Sequence, residues 1–464
     1  MLACCCFVVS QLLIVITLIY LVITKTKVHT GTCSSATVPL PLPPGPWPWP
    51  VVGSLPEMVL NKPAFRSIHR EMKDMGTDIT CFRLGGVHVV PITCPKIARE
   101  VLKKQDKNFS SRPLTFASGA ISSGYKDAVL SPSGDQWMKM RKVITSEIIC
   151  PSRHKWLHDK RADEADNLTR YISNLTAGGL SSSMSGLANV NVRHVARHYC
   201  GNVIRRLVFG QRYFGEPQPN GGPGPMEVEH MDASFALLGF TYAFCVSDYL
   251  PCVLGLDLDG YEKIIKEANT KVYRLHDVLI EERWRQWNSG ERQDGVQDFL
   301  DVLITLADGD DKPLLSVDEV KAQSKDIMQL NYLKACIREA FRLHPIAPFN
   351  LPHVAIADTI VAGYHVPKGS NVILSRLALG RNPTVWDEPL HFKPERHMGD
   401  NINVVLTESE LRVMLFGRLL HGFTWTNPAG VSAINLSESK HDLFIEQPLV
   451  LHAEPRLSVY LYPL

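Results

Sequence analysis

The sequence predicts a mainly α-helical protein with minor β-sheets, and three observations carry that prediction. Apolar residues recur at helical spacing over most of the chain beyond residue 61. Strand signals are confined to two stretches, 79–92 and 354–372, each built around glycine-containing turns. No internal repeat or low-complexity domain interrupts the pattern, so both kinds of stretch belong to one continuous body. With 464 residues, 45% of them hydrophobic and 21% charged, there is ample chain for a large core. The formal net charge of +2 comes without a dominant basic stripe, which gives no reason for a nucleic-acid partner.

Residues 2–24, LACCCFVVSQLLIVITLIYLVIT, hold no charge. At 1.5 Å per residue a helix of this length reaches ~34 Å, enough to cross a bilayer core. Lys25 and Lys27 follow at once and predict a cytosolic C-terminal side. A cleaved signal peptide is the rival reading. Against it, the run is too long, has no basic start and is followed by no small-residue cleavage motif. Residues 1–24 are therefore expected to be a single-pass transmembrane anchor. Cys4, Cys5 and Cys6 read as small apolar residues within it, with palmitoylation as the alternative. The eleven cysteines are otherwise scattered without a C-x-x-C pair outside the anchor, which fits a reducing compartment with no disulfide framework or zinc site. The sequons at Asn108, Asn167, Asn174 and Asn435 are then chance matches.

Residues 25–50 form a hinge. Pro39, Pro41, Pro43, Pro44, Pro46, Pro48 and Pro50 remove backbone donors and fix an extended, stiff path. A ligand for another protein's proline-reading module is the alternative. Residues 51–464 are the body. Helix begins near Asn61, short strands cover 79–84 and 87–92 around Gly85-Gly86, and CPKIAREVLKKQ returns to a 3.6-residue period. Residues 137–177 read as amphipathic helices, Pro217–Pro225 as a loop, and Met231 to about Trp287 as helix broken at Pro251. ADGDDKPLLS is a further loop, and strands return from Val354 to Val372 with turns at Ala362-Gly363 and Lys368-Gly369.

Several side-chain patterns could carry chemistry. Glu339 and Arg342 are three apart and share a helix face, ordinarily a surface pair of little worth. Their flanks are apolar, which predicts burial and a need for further partners. Trp137 and Arg141 stand one helical turn apart and both can donate to one carboxylate. Read from the residues alone, a core-packed tryptophan on an amphipathic helix is the stronger account of that pair. Phe116 and Ala117, and Phe349 and Asn350, lie on segments suited to lining a pocket, with loop-to-core packing an equal alternative. His194 and His198 share a face but lack the glutamate of H-E-x-x-H and a third ligand, so packing or surface histidines are the better reading.

Taken in order, the apolar anchor, the Pro-Pro-Gly-Pro hinge, Glu339-x-x-Arg342, His344-Pro345 and Pro394-Glu395-Arg396-His397 resemble a plant cytochrome P-450, a heme-thiolate monooxygenase. SSRPLTFA, SGDQWMKMRK, HPIAPFNLPHVA and LGRNPTVWDEPL narrow the resemblance to the aldoxime-forming amino-acid N-monooxygenases, along essentially the whole chain. The resemblance implies the cytochrome P-450 fold, heme b, and electrons from NADPH through an NADPH–cytochrome reductase. It implies conversion of an L-amino acid to its aldoxime by two N-hydroxylations, decarboxylation and dehydration. It implies an endoplasmic-reticulum membrane protein with its body in the cytosol. Residue by residue, it implies an ion-pair triad of Glu339, Arg342 and Arg396, and heme-propionate contacts from Trp137, Arg141 and His353. Phe116, Ala117, Phe349 and Asn350 would line the substrate pocket.

The chain departs from that family twice. Between Val320–Gln323 and Leu330 the long central helix over the heme is expected, and only Ser324–Gln329 stands there. After Arg412 the loop carrying the heme cysteine is expected, yet Val413 continues as the helix beyond it, and no cysteine follows Cys336. The expectation is an incomplete P-450 fold with no residue assigned a catalytic role and no axial thiolate, a ligand no neutral side chain replaces. The alternative is a non-catalytic, membrane-anchored remnant or interaction protein without heme. Which amino acid the family's chemistry would act on is not decided by these residues.

Overall fold

In this computed structural model the described residues are 40–178, 188–292, 295–308, 310, 312–321, 342–345, 347–391, 393, 418–439 and 445–457. The helices used below are, in chain order, α1 (Leu55–Leu60), α2 (Ala64–Asp74), α3 (Phe116–Ile121), α4 (Asp135–Val143), α5 (His158–Gly178), α6 (Val192–Phe209), α7 (Pro225–Phe240), α8 (Tyr261–Asn288), α9 (Phe299–Thr305) and α10 (Arg376–Gly380). The strands are β1 (Phe82–Leu84), β2 (Val87–Ile92), β3 (Ala188–Asn191), β4 (His353–Val354), β5 (Thr359–Val361), β6 (Tyr364–Val366), β7 (Asn371–Leu374), β8 (Phe423–Thr426) and β9 (Val450–Pro455). Helix dominates, with sheets in the orders β1-β2-β7-β4, β3-β9-β8 and β5-β6. The chain divides into two compact units, Met1–Phe109 with Val354–Val372, and Ser110–His353 with Ile373–Leu464.

The first unit is organised by tight turns. β1 and β2 pair antiparallel with Leu84 opposite Val87, and β5 and β6 pair with Val361 opposite Tyr364. The two residues between β5 and β6, Ala362 and Gly363, both have positive φ (50° and 81°), as a two-residue hairpin turn requires. The proline hinge is braced against β1 rather than trailing away. Cys81 N–H donates to Pro44 O at 2.9 Å, and Trp49 pairs with Gly53, which pairs in turn with Leu84. A Cβ on Gly45 would lie 1.9 Å from the Cys81 carbonyl oxygen, so only glycine permits that approach.

The second unit holds the helical core. α8 spans 28 residues, and Ile265, Ala268, Val272, Leu275 and Ile280 fall on its buried face at steps of three to five. That spacing makes one stripe of a 3.6-residue helix. One end of the stripe packs with Ala117, Ile121 and Leu237 of α3 and α7; the other packs with Val208, Leu300 and Leu303 of α6 and α9. A further cluster joins Leu168 and Ile172 of α5 to Val203, Phe423 and Ala453. Each such fully buried aliphatic or aromatic side chain contributes roughly 1.5–3 kcal/mol. Polar groups enter the core between α6, α7 and α8. There His230 Nε2 lies 2.9 Å from His276 Nε2, and Arg205 Nη1 lies 3.4 Å from His230 Nδ1.

The helix expected from Met231 to about Trp287 with one break at Pro251 differs in its middle. α7 ends at Phe240 and α8 starts at Tyr261, with only short turns at Val246–Tyr249 and Pro251–Val253 between them. Aspartates cause the difference. Asp259 accepts from Val246 N–H at 2.7 Å, and Asp257 accepts from Glu262 N–H and Lys263 N–H at 2.9 and 3.1 Å. These carboxylates offer the backbone an alternative to helical bonding. The strand expected over 79–84 is regular only from Phe82, with Ile79 bridged singly to Ile92. Among the described residues no helix is long and apolar enough to cross a membrane, and residues 2–24 lie outside them.

Candidate functional site

Three segments that the sequence singles out meet in the second unit. Arg112, just before the 115–117 pocket segment, donates from Nη1 to Pro352 O at 3.0 Å, one residue from His353. Ser133 N–H donates to Ser111 Oγ at 3.3 Å, which ties the same segment to the entry of α4. Trp137 and Arg141 lie on α4, with the Arg141 guanidinium 5.0 Å from the Trp137 ring centre. Trp137 is half-buried and Arg141 exposed, and among the described residues this guanidinium meets no carboxylate. An indole donor and an uncommitted cation on one face suit an anionic group.

The pocket segments are held by the backbone. Thr115 caps α3 by accepting from Ser118 N–H, while Ser118 Oγ accepts from Thr115 N–H. Phe116 and Ala117 therefore open a helix, where the sequence suggests a loop. Ala117 is buried among Ile121, Leu237 and Ile265, whereas Phe116 is half-buried with Lys266 Nζ 5.2 Å from its ring centre. Phe349 bridges to Ser375, and Asn350 exchanges bonds with Leu374: its N–H donates to Leu374 O at 3.0 Å and its Oδ1 accepts from Leu374 N–H at 2.6 Å. His353 is half-buried at the start of β4.

Arg342 is buried and donates to the carbonyl oxygens of Gly380 and Pro389 at 2.6 Å each and of His391 at 3.1 Å. Its guanidinium also sits 5.2 Å from the Trp386 ring centre. The backbone of α10 comes so near that a Cβ on Gly380 would lie 2.0 Å from Arg342 O. Arg342 thus fixes the course of 380–391. Glu339, Arg396 and Cys336 lie outside the described residues.

Two functional candidates escape sequence reasoning. Arg112 is a half-buried cation that meets no carboxylate among the described residues, and burial lowers its pKa. Asp248 accepts the Phe116 N–H at 2.6 Å, and burial, with Asp259 and Glu262 adding to it, raises its carboxyl from 3.8 to about 6. Arg112 stands in the quoted SSRPLTFA segment, whereas Asp248 carries no local signal at all.

Cys81 and Cys245 are poorly suited to metal. Burial pushes the Cys81 and Cys245 thiols up to about 11, so neither supplies a thiolate near neutrality. Among the described residues no group of three or more histidines, cysteines and carboxylates is placed to hold a metal ion. His194 is exposed, while His198 is buried with Nε2 3.2 Å from Gly221 O, and burial pushes it down to about 3.

The sequence profile of the family described as Cytochrome P450 matches residues 43–324 and, separately, 317–417. The chain is 61% identical over 483 residues to a tyrosine N-monooxygenase of Sorghum bicolor, covering 89% of this chain and 86% of the relative. It is 44% identical to tryptophan N-monooxygenase 1 of Arabidopsis thaliana and 46% identical to valine N-monooxygenase 1 of Manihot esculenta. Those matches cover 89% of this chain and 88% and 87% of the relatives. Among solved structures it is similar to a zebra fish cytochrome P450 solved with progesterone, at a TM-score of 0.61 and 19% identity. That match covers 85% of this chain and 100% of the other.

Proposed function

The chain belongs to the cytochrome P450 family and has its fold, and from that premise we propose that it is by descent an amino-acid N-monooxygenase whose first substrate to test is tyrosine. Identity of 61% with the sorghum tyrosine enzyme, against 44% and 46% with the tryptophan and valine enzymes, carries this reading. The family's enzymes are oxidoreductases that use heme, O2 and electrons passed from NADPH by a reductase. On this reading the intact enzyme takes an L-amino acid to its aldoxime. Phe116, Ala117, Phe349 and Asn350 line or brace its pocket, and Glu339 and Arg396 complete the lock around Arg342. Residues 1–24 hold it in the endoplasmic-reticulum membrane, residues 25–50 form the hinge, and the body from residue 51 faces the cytosol.

The present chain does not complete that site. Trp137, Arg141 and His353 offer contacts of the kind that heme propionates take, but no cysteine follows Cys336 to bind the iron. Cys336 itself lies within the Glu339-x-x-Arg342 helical pattern, which serves the scaffold. The donor set therefore does not fit a thiolate-ligated heme, and the chain in this form is impaired. Internal deletion is supported in two ways. The family profile matches in two pieces that meet at 317–324, and the sorghum alignment runs over 483 residues although the chain has only 464. A second reading, a membrane-anchored protein without catalysis, rests on the same missing thiol.

A carbon-monoxide difference spectrum of the reduced, expressed chain is the deciding measurement. No thiolate-type Soret band is expected, and its appearance would overturn the impaired reading. Transcript reads that run unbroken through Gln323–Leu330 and across Arg412–Val413 would establish both junctions. Restoring the two missing stretches from the sorghum sequence is expected to return the band and tyrosine-dependent aldoxime. A restored enzyme that turned over tryptophan or valine and not tyrosine would displace the substrate assignment.

A further inference from the structure

α7 and α8 pack side by side and leave a groove of about 820 Å³ along their outer faces, within the size range of small-molecule sites. The two helices run antiparallel, with Glu229 meeting Arg274, His230 meeting His276 and Phe240 meeting Tyr261. The floor is made of small residues: Ala233 and Ala268 are buried and Ala236 is half-buried, while Val228 and Ile264 stand exposed beside them. Loop 217–224 closes one end and is fixed in place. Gly221 O accepts from the Tyr213 hydroxyl at 2.9 Å and from Arg212 Nη2 at 3.3 Å, and Gly224 N–H donates to Glu227 Oε2 at 3.0 Å. Such a preformed wall costs little ordering when a ligand binds. Of the polar groups on the rim, Glu229 is already paired with Arg274, and Asp232 with Arg197 Nη1 at 3.0 Å. Three others keep bonding capacity. Glu267 has only Lys263 Nζ at 3.9 Å, an exposed pair of little worth. Lys271 follows Glu267 by four residues, the order and spacing in which such pairs form on a helix, yet it meets no carboxylate among the described residues. The Gln218 side-chain amide lies against Gly224, where a Cβ would be 3.2 Å from its Nε2, and has no hydrogen-bond partner among the described residues.

We propose that this groove is a second amino-acid site, taking a zwitterionic α-amino acid with a large apolar or aromatic side chain. Lys271 and the Gln218 amide take its carboxylate, Glu267 takes its ammonium, and the side chain lies on the alanine floor between Val228 and Ile264. Charge complementarity selects this occupant. A lone anion would face Glu267 and a lone cation Lys271, whereas a zwitterion satisfies both. The helix register agrees: Lys271 lies one turn from Arg274, near the loop end, and Ile264 two turns further along α8 toward Ala236. The floor also reaches the substrate-pocket segment, because Ala233 and Ala268 share one buried cluster with Ala117 and Ile121 of α3. Occupancy of the groove thus steadies the packing on which α3 rests. The inference rests on the proposed amino-acid chemistry for its choice of ligand, and adds an effector site to it.

The test is equilibrium dialysis of labelled L-tyrosine against the full chain in detergent, which needs neither heme nor turnover. Saturable binding is expected, weakened about tenfold or more by Lys271→Met and by Glu267→Gln, since each removes one charge-assisted bond. Both side chains are exposed, so the fold survives the changes, which far-ultraviolet dichroism checks. Tyrosine methyl ester, without the carboxylate charge, and N-acetyltyrosine, without the ammonium, should each compete poorly. No saturable binding, or binding unchanged in Lys271→Met, overturns the proposal. So does tyramine that competes as well as tyrosine, the mark of a plain cation site. Amide exchange in α3 should slow with tyrosine in the parent and not in Lys271→Met; exchange that never slows overturns the effector role. A restored enzyme that fails to turn over tyrosine counts against the substrate assignment alone, because the dialysis reads the groove without turnover.

Discussion

Arg342 has one buried cation answering three carbonyl oxygens of a single segment. A lysine there carries the charge but not the planar fork, so at least one buried carbonyl loses its donor. Arg342→Lys is expected to cost about 2 kcal/mol or more, read as a lowered urea midpoint. Asp248 gives a pH-dependent prediction. Its folded pKa of about 6 stands above the ordinary 3.8, so its stabilising contribution is full below 3.8 and is lost as pH rises through about 6. Asp248→Asn still accepts from Phe116 N–H but cannot ionise. Its stability relative to the parent should therefore climb between pH 4 and 6 and then level off; a flat difference would refute the assignment. Trp137, Arg141 and Arg342 could be singled out from sequence because their meaning lies in short, ordered motifs. Arg112 and Asp248 take theirs from partners 240 and 132 residues away, which no local pattern encodes.

Among the elements, α6, α7 and α8 meet around a polar patch inside an otherwise apolar core. Burial first, and Arg205 second, push His230 from 6.5 down to about 3. Below pH 6.5 the unfolded chain takes up a proton that the folded chain refuses, so stability is full above 6.5 and falls as pH drops toward 3. His230→Gln keeps an acceptor for Arg205 and a donor for His276 but cannot titrate. Its acid-unfolding curve should be shallower by about one proton between pH 6 and 4. The helical character of α5 and α8 and the C-terminal ends of both could be read from apolar spacing, and the β5–β6 turn from Ala362-Gly363. The full extent of the 241–260 interruption could not: Pro251 marks a single break, whereas Asp257 and Asp259 widen it by capturing backbone N–H groups across the turn.

For the whole molecule, the order of motifs made the fold readable well beyond what periodicity alone allows. The division into two units did not emerge, because Val354–Val372 returns to the first unit after a long excursion that leaves no mark in composition. On the proposed reading, the two departures from the family show only as missing text between matching flanks. If a central helix is absent, apolar faces of its neighbours lose their cover. The expressed chain should bind more of the dye ANS than a form with both stretches restored, and equal binding would argue that the shortened body repacks.

The His230–His276 contact gives the chain a spectroscopic signature in solution. Arginine can only donate, so His230 Nδ1 must accept, its Nε2 must hold the proton, and His276 must be protonated at Nδ1. The two rings are locked as opposite tautomers. In a nitrogen-15 magnetic-resonance spectrum they would give a paired fingerprint independent of heme, ligand or turnover. The pair would mark whether α6, α7 and α8 had come together, whether or not iron is bound.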